Sequence, residues 1–289
     1  MTGDPAPDVR RLWALAEPFH ALTYFADEAR VAFGAAGLHG FWAGYFAGRA
    51  APLGAVGLAV VTATFASFAP AFVARRVPGI WTTTSPEQAL AARLAGVDAA
   101  VQRALPGWAG SADAAEAAAL ARRAAEAVDL PGRPLAAANA TLPEPDRPHL
   151  ALWQALTTLR EHRGDGHLAT LLQRDLLGLP ALVLAAAAGV SDAEWLQRAR
   201  GWSPAEWTVA ADALTARGLL AGGALTADGI AVRAAVEDDT DRLARGPWAA
   251  LGAAGCDRLA ELLVPVRHAV VAIGDWPAHN PIGVPEPPS

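Results

Sequence analysis

The sequence predicts a mainly α-helical protein built of two fused, similarly laid-out halves with small β elements. Three observations predict it. About half of the residues are apolar, mostly Ala, Leu and Val, and they recur at spacings of three and four along most of the chain. Helix starts of the Ser-Pro type occur at Ser85-Pro86 and again at Ser203-Pro204, each with an acidic residue in the first turn (Glu87, Glu206). Leu12-Trp13 recurs as Leu152-Trp153, and Trp108 recurs at the same distance as Trp248.

At 289 residues with a formal charge of −6, the chain has room for two domains of about 140 residues each. It contains no lysine; all 23 basic residues are arginine. Schiff-base chemistry on lysine and Walker-type phosphate binding are therefore excluded. The single cysteine, Cys256, rules out an internal disulfide framework and cysteine-based zinc sites. The first residues are acidic and proline-bearing, with no continuous apolar core of a signal peptide, so the expected location is cytoplasmic. Residues 50–74 form about 25 uncharged residues, long enough in principle to span a bilayer. They contain two prolines and two glycines, and Phe65, Phe68 and Phe72 share one helical face. A buried helix, and no membrane span, is the expectation.

In chain order, residues 1–8 read as a lead. A helix is expected over 8–21, with Pro18 kinking it, then a second carrying Phe25, Ala29 and Phe33 and stopped by Gly37. An aromatic, glycine-punctuated stretch over 38–48 precedes a helix over 56–75. Helices follow over 86–105, closed by Pro106-Gly107-Trp108, and over 112–128. The proline-rich stretch over 131–149 reads as a connector between an N-terminal half, 1–130, and a C-terminal half, 150–274. In the second half helices are expected over 150–162 and 167–177, joined by the Arg163-Gly164-Asp165-Gly166 turn. Others follow over 178–190, 203–217, 227–244 and 256–273, before an extended proline-rich tail over 275–289.

Arg217 to Leu220, the pair Gly222-Gly223 and Leu225 to Gly229 form a helix end, a short wing and a new helix start. This layout resembles a winged-helix unit of the MarR type. Over nearly its whole length the chain is similar to an actinobacterial family of helix-turn-helix proteins called SalK-like. The stretches that carry the likeness are LWALAEPFHALTYF, GFWAGYFAGRAAPLG, LREHRGDGH, ARGW and the tail NPIG. The resemblance implies winged-helix ancestry with β-wings and a link to specialised metabolism, while the recurring Leu-Trp and Trp markers point to two winged-helix-like halves related by internal duplication. It implies a fold more than an activity.

A groove-reading helix needs Arg, Lys, Asn or Gln at its outer positions and basic flanks for phosphate. The candidate over 203–217 offers Ala205, Glu206, Thr208, Ala211 and Asp212, and the wing has no arginine at its tip. DNA binding is therefore not expected.

The densest ionisable stretch is Arg160 to His167. A capped, solvated turn between helices accounts for it as well as any function does, with Asp165 capping the helix that starts near His167. Three functional readings stand beside that one. His162, Asp165 and His167 are the candidate catalytic residues, a histidine–carboxylate pair being sufficient for proton transfer. His20, His162 and His167 are the candidate ligands of haem or a divalent metal, although their spacing matches no standard motif. Arg160 and Arg163 offer planar forks for an anion. With His20, Tyr24, Trp42 and Tyr45 they describe a pocket between the halves for a small hydrophobic or aromatic ligand. Cys256 is a remote candidate nucleophile. A homodimer is left open, and no nucleotide-binding or hydrolase motif is present.

Overall fold

The computed structural model describes residues 7–277 together with Ile282 and Val284. The lead over 1–6 and most of the tail, including all of the NPIG motif except Ile282, lie outside the described residues.

The first half opens with α1 (Val9–His20), α2 (Leu22–Phe25) and α3 (Asp27–Ala35), separated by single residues. Asp8 starts α1 by accepting a hydrogen bond from the Arg11 N–H. Next come α4 (Phe41–Ala50), a 3-10 turn (Ala51–Leu53), α5 (Leu58–Thr64), α6 (Pro70–Ala74) and α7 (Val77–Thr83). The single helix expected over 56–75 is thus two helices with a turn between them. Pro70 is the physical reason: it disfavours helical geometry at the residue before it, and Ala69 is extended with ψ 134°. Phe65, Phe68 and Phe72 are nevertheless all buried in one cluster, as their spacing suggests. The half closes with α8 (Pro86–Ala104), which Ser85 and Gln88 cap reciprocally, and α9 (Ala112–Ala125).

The expected connector is not an open linker. It holds α10 (Pro134–Ala140), whose Leu135, Ala136 and Asn139 are buried against the following helix. That helix, α11 (Pro148–Gln173), runs unbroken through Gly164 and Gly166, so the expected turn at 163–166 does not exist. Two interior glycines cost a helix about 1 kcal/mol each. Burial of α11 along most of its circumference outweighs that, and Trp153 is 0% exposed.

The second half continues with α12 (Leu179–Ala187), α13 (Ala193–Arg200) and α14 (Pro204–Ala216), then β1 (Leu220–Ala221) and β2 (Ala224–Leu225). Ser203 and Glu206 make a capping box for α14. The strands pair antiparallel through a two-residue turn, with Gly222 at φ 57° and Gly223 at φ 82°. Such a turn needs positive φ at both positions, which two glycines supply without strain. This is the one sheet among the described residues, so the first half has no described wing. Then come α15 (Ala227–Leu251) and α16 (Ala253–Ala272). The expected stop at Gly246-Pro247-Trp248 is overridden: α15 continues through Pro247, held by burial of Trp248 and Leu251 in the main core.

That core draws on both halves. It joins Leu12, Leu15 and Phe19 of α1, Val97 and Val101 of α8 and alanines of α9 to Leu152, Trp153 and Leu156 of α11 and Leu259, Leu263 and Val266 of α16. The leading helix of each half packs on the closing helix of the other, α1 on α16 and α11 on α9. Among the described residues no single helix is long and apolar enough to cross a membrane. One pair, Phe41–Leu53 with Leu58–Thr64, passes by length and composition but is bent by 96°.

Candidate functional site

Because α11 is continuous, its period of 3.6 residues sorts the polar stretch into two faces. Arg160, Glu161, Arg163, Gly164 and His167 line a cavity of about 580 Å³ that lies between elements of the two halves. His162, Asp165 and Gly166 turn away, toward α10 and α15.

On the away-facing side, Asp165 Oδ2 accepts from the Ala136 N–H at 2.9 Å, so it caps α10 rather than its own helix. Burial pushes its carboxyl up to about 6. Arg133 donates to the carbonyls of His162 at 2.6 Å and Leu243 at 2.9 Å, tying α11 to α15. It fits because residue 166 is glycine: a Cβ there would sit 2.8 Å from Arg133 Nη1. The His162 ring is buried with Nε2 unbonded, and burial, with Arg133, holds it down at about 4. His162 and Asp165 therefore form no pair with each other and do not line the cavity.

On the cavity side, four charged groups form a chain. Arg49 Nη2 donates to both Glu161 oxygens, at 2.8 and 3.0 Å. Arg160 donates to Glu161 at 2.9 Å and to Glu17 at 3.1 Å, and Glu17 also accepts from Trp13 Nε1. Burial alone would protonate Glu161; Arg49 and Arg160 outweigh it and hold its carboxyl below the usual range. A second cluster joins Arg163 to Asp241 at 2.9 Å and Glu237 at 3.3 Å, with the Arg163 guanidinium over the Trp13 ring. Asp241 also takes Arg10. The two arginines singled out from the sequence as anion forks are thus already paired with carboxylates of the protein.

Tyr24 and Tyr45 bring phenols to the same wall, their rings 5.2 Å apart. Behind Tyr24 lies His20, 2% exposed and stacked on Trp153 at 5.6 Å. Thr157 donates its hydroxyl proton to the Trp153 carbonyl, so it accepts from His20 Nδ1–H at 3.0 Å. That fixes the tautomer: His20 Nε2 carries the lone pair and accepts the Tyr24 O–H at 3.1 Å. Burial, then Arg160, Arg49 and Arg93, hold His20 neutral, and burial raises the Tyr24 phenol. Tyr45 accepts from Arg49 Nη1 at 3.0 Å, and its own proton has no acceptor among the described residues. Arg49, Arg200 and Arg160 lower its phenol against the opposing effect of burial.

The same logic applies to His167. Thr240 donates to the Val236 carbonyl at 2.7 Å and accepts from His167 Nδ1–H at 2.9 Å, leaving Nε2 as the basic nitrogen of a cavity-lining ring. Burial and nearby Arg163 and Arg233 keep it neutral against the pull of Glu237.

Of the expected site residues, Tyr24, Trp42, Tyr45, Arg160, Arg163 and His167 line the one cavity; His20 backs it, and His162 and Asp165 lie elsewhere. The expected metal set of His20, His162 and His167 is dispersed, and no three His, Cys, Asp or Glu side chains among the described residues could hold a metal ion. Both ring nitrogens of His20 are already engaged, which leaves none to ligate haem. Cys256 is buried, donates to the Trp248 carbonyl, and its thiol is pushed up to about 11. Sequence reasoning missed Glu17, Arg49 and Arg200. All three lie in the stretches that carry the family likeness, and Arg49 is also the last charge before the uncharged run over 50–74.

α13 lines the cavity with Trp195, Ala199 and Arg200, and α14 and the hairpin follow it without reaching the cavity wall. The exposed face of α14 presents Glu206, Thr208, Val209 and Asp212. Arg217, which follows α14, donates to the carbonyls of Arg174 and Asp175.

A family model described as a helix-turn-helix family matches residues 9–277. The chain belongs to this helix-turn-helix family. No curated protein and no solved structure matches it.

Proposed function

We propose that this helix-turn-helix family member binds a small hydrophobic or aromatic molecule in the cavity between its halves. The observation that carries the reading is the cavity itself: about 580 Å³, in the size range of small-molecule sites, walled by aromatic rings and by partly buried phenols and arginines. Ligand contacts fall to Tyr24, Trp42 and Tyr45, with His20 holding Tyr24 from behind. Arg160 and Arg163 shape the wall through their ion pairs. The proposal extends to the narrower lineage: SalK-like, with MarR-type winged-helix ancestry, internal duplication, and a cytoplasmic role in specialised metabolism. The crossed packing of α1 on α16 and α11 on α9 supports duplication, since two equivalent halves exchanging leading helices would pack so.

The test is a thermal-shift screen of apolar aromatic compounds on the wild type and on Ala185→Trp, whose indole would fill the cavity. The wild type is expected to be stabilised by some of them and the variant by none. Equal responses would sink the reading.

Family membership favours a second reading, a transcriptional regulator in which the cavity is the sensor and α14 with its hairpin the reader. Against it stand the acidic outer face of α14 and a hairpin without charge, because phosphate contacts supply most of the affinity of such modules. A gel shift with the chain's own promoter region that survives moderate salt would establish it. An enzymatic reading rests on His167, whose Nε2 lone pair faces the cavity wall.

A further inference from the structure

From the one arginine that is buried at the cavity wall without a counter-ion among the described residues, we infer that the ligand is an organic carboxylate held by Arg200. This deepens the ligand-binding reading and depends on it.

Arg49 and Arg160 share Glu161 and Glu17, and Arg163 and Arg10 share Asp241. Arg200 is different. It is 8% exposed, makes no side-chain hydrogen bond or ion pair among the described residues, and leaves Nε buried and unbonded. Its guanidinium lies over the Phe68 ring, 4.5 Å from the centroid. A guanidinium remains charged in proteins, so it cannot escape burial by losing its proton. An uncompensated buried charge is strongly destabilising unless something pairs with it. Arg233, the other cavity-lining arginine without a carboxylate, is only half-buried and can keep water.

Tyr45 supplies the second half of the recognition. Its oxygen is taken by Arg49, and its proton has no acceptor among the described residues. Arg200 and Tyr45 both line the cavity and both pack on the Phe68 ring, the guanidinium 4.5 Å and the Tyr45 ring 5.5 Å from its centroid. Among the described residues the wall therefore holds one buried unpaired cation and one unpaired neutral donor. A single carboxylate accepts from both; a phosphate dianion would need more positive charge than Arg200 alone supplies. Rings of Trp42, Phe65 and Phe25 remain for the apolar body of the acid. Arg200 also ends α13, just before the turn into α14, and its carbonyl accepts from the Ala69 N–H at 2.9 Å. The acid would thus be held at the joint of the helix-turn-helix.

The test uses the full chain and two probes of equal shape, naphthoic acid and its uncharged amide, measured by calorimetry. A charge-assisted hydrogen bond predicts that the wild type prefers the acid by about 10- to 100-fold. Arg200→Met is expected to abolish that preference while still binding the amide. Equal wild-type affinities, or an undiminished preference in the variant, overturn the inference and leave the cavity reading standing. If neither probe binds the wild type, the cavity reading itself fails. A ligand-free melt adds an arm that needs no probe. Replacing an unpaired buried cation by Met is expected to raise Tm, whereas a fall would show that Arg200 is a structural residue.

Discussion

Gly164 and Gly166 stand two residues apart in α11, and alanine at each should have opposite effects. In a helix interior Gly→Ala stabilises by about 1 kcal/mol, because the unfolded chain loses freedom and nothing else changes. At Gly164 a new Cβ would meet only Glu161 Oε2, at 3.6 Å, an ordinary contact. G164A is therefore expected to gain about 1 kcal/mol, roughly 2 °C in Tm for a chain of this size. At Gly166 the new Cβ would sit 2.8 Å from Arg133 Nη1 and 3.3 Å from Leu243 Cβ. Arg133 must move, and with it the bonds to the His162 and Leu243 carbonyls. Hydrogen bonds from a charged donor contribute about 1.5–3 kcal/mol each, so after the propensity gain G166A is expected to lose about 2–5 kcal/mol. Urea denaturation of both variants reads the two signs directly. A destabilised G164A would mean that residues 163–166 form a turn after all, and a stabilised G166A would mean that Arg133 is not seated where the structure has it.

Three further outcomes follow from the same contacts. Asp165→Asn keeps an acceptor for the Ala136 N–H and removes the burial penalty. Since the carboxyl is raised to about 6, the stability it contributes is present below about pH 4 and lost as pH rises through 6. The variant should match the wild type near pH 4 and exceed it by up to about 3 kcal/mol at pH 7.5 in urea melts; a gap that is flat with pH would refute this. Glu161→Ala strips Arg49 and Arg160 of their shared carboxylate, and a loss of about 3–5 kcal/mol is expected, with a loss below 1 kcal/mol counting against the ion-pair chain. Cys256 should resist a thiol reagent at pH 8 until the chain unfolds, because its thiol is buried and raised to about 11; labelling of the native protein at the rate of a free thiol would contradict that.

The sequence by itself determined what depends on neighbours in the chain. The helical class, the capped starts at Ser85 and Ser203, the Gly222-Gly223 hairpin and the burial of Phe65, Phe68 and Phe72 all follow from local propensity, capping and apolar patterning, although the three phenylalanines share a core cluster and not a helix face. Breaks were the part read wrongly. Gly164 with Gly166, and Pro247, are breakers by propensity, worth from about 1 to about 3 kcal/mol, and burial of α11 and of Trp248 overrides them. One such error also misplaced the chemistry. With a turn at 163–166, Arg160 to His167 would be a single polar cluster. In a continuous helix the same eight positions divide between a cavity face and a packing face, so His162 and Asp165 leave the site. The partners that complete it, Glu17, Arg49 and Arg200, lie in stretches that carry the family likeness, but those stretches are distant from one another in sequence and nothing in them says that these side chains meet. Only tertiary packing decides which arginine has a carboxylate beside it, because ion pairing depends on distances across the core and not along the chain.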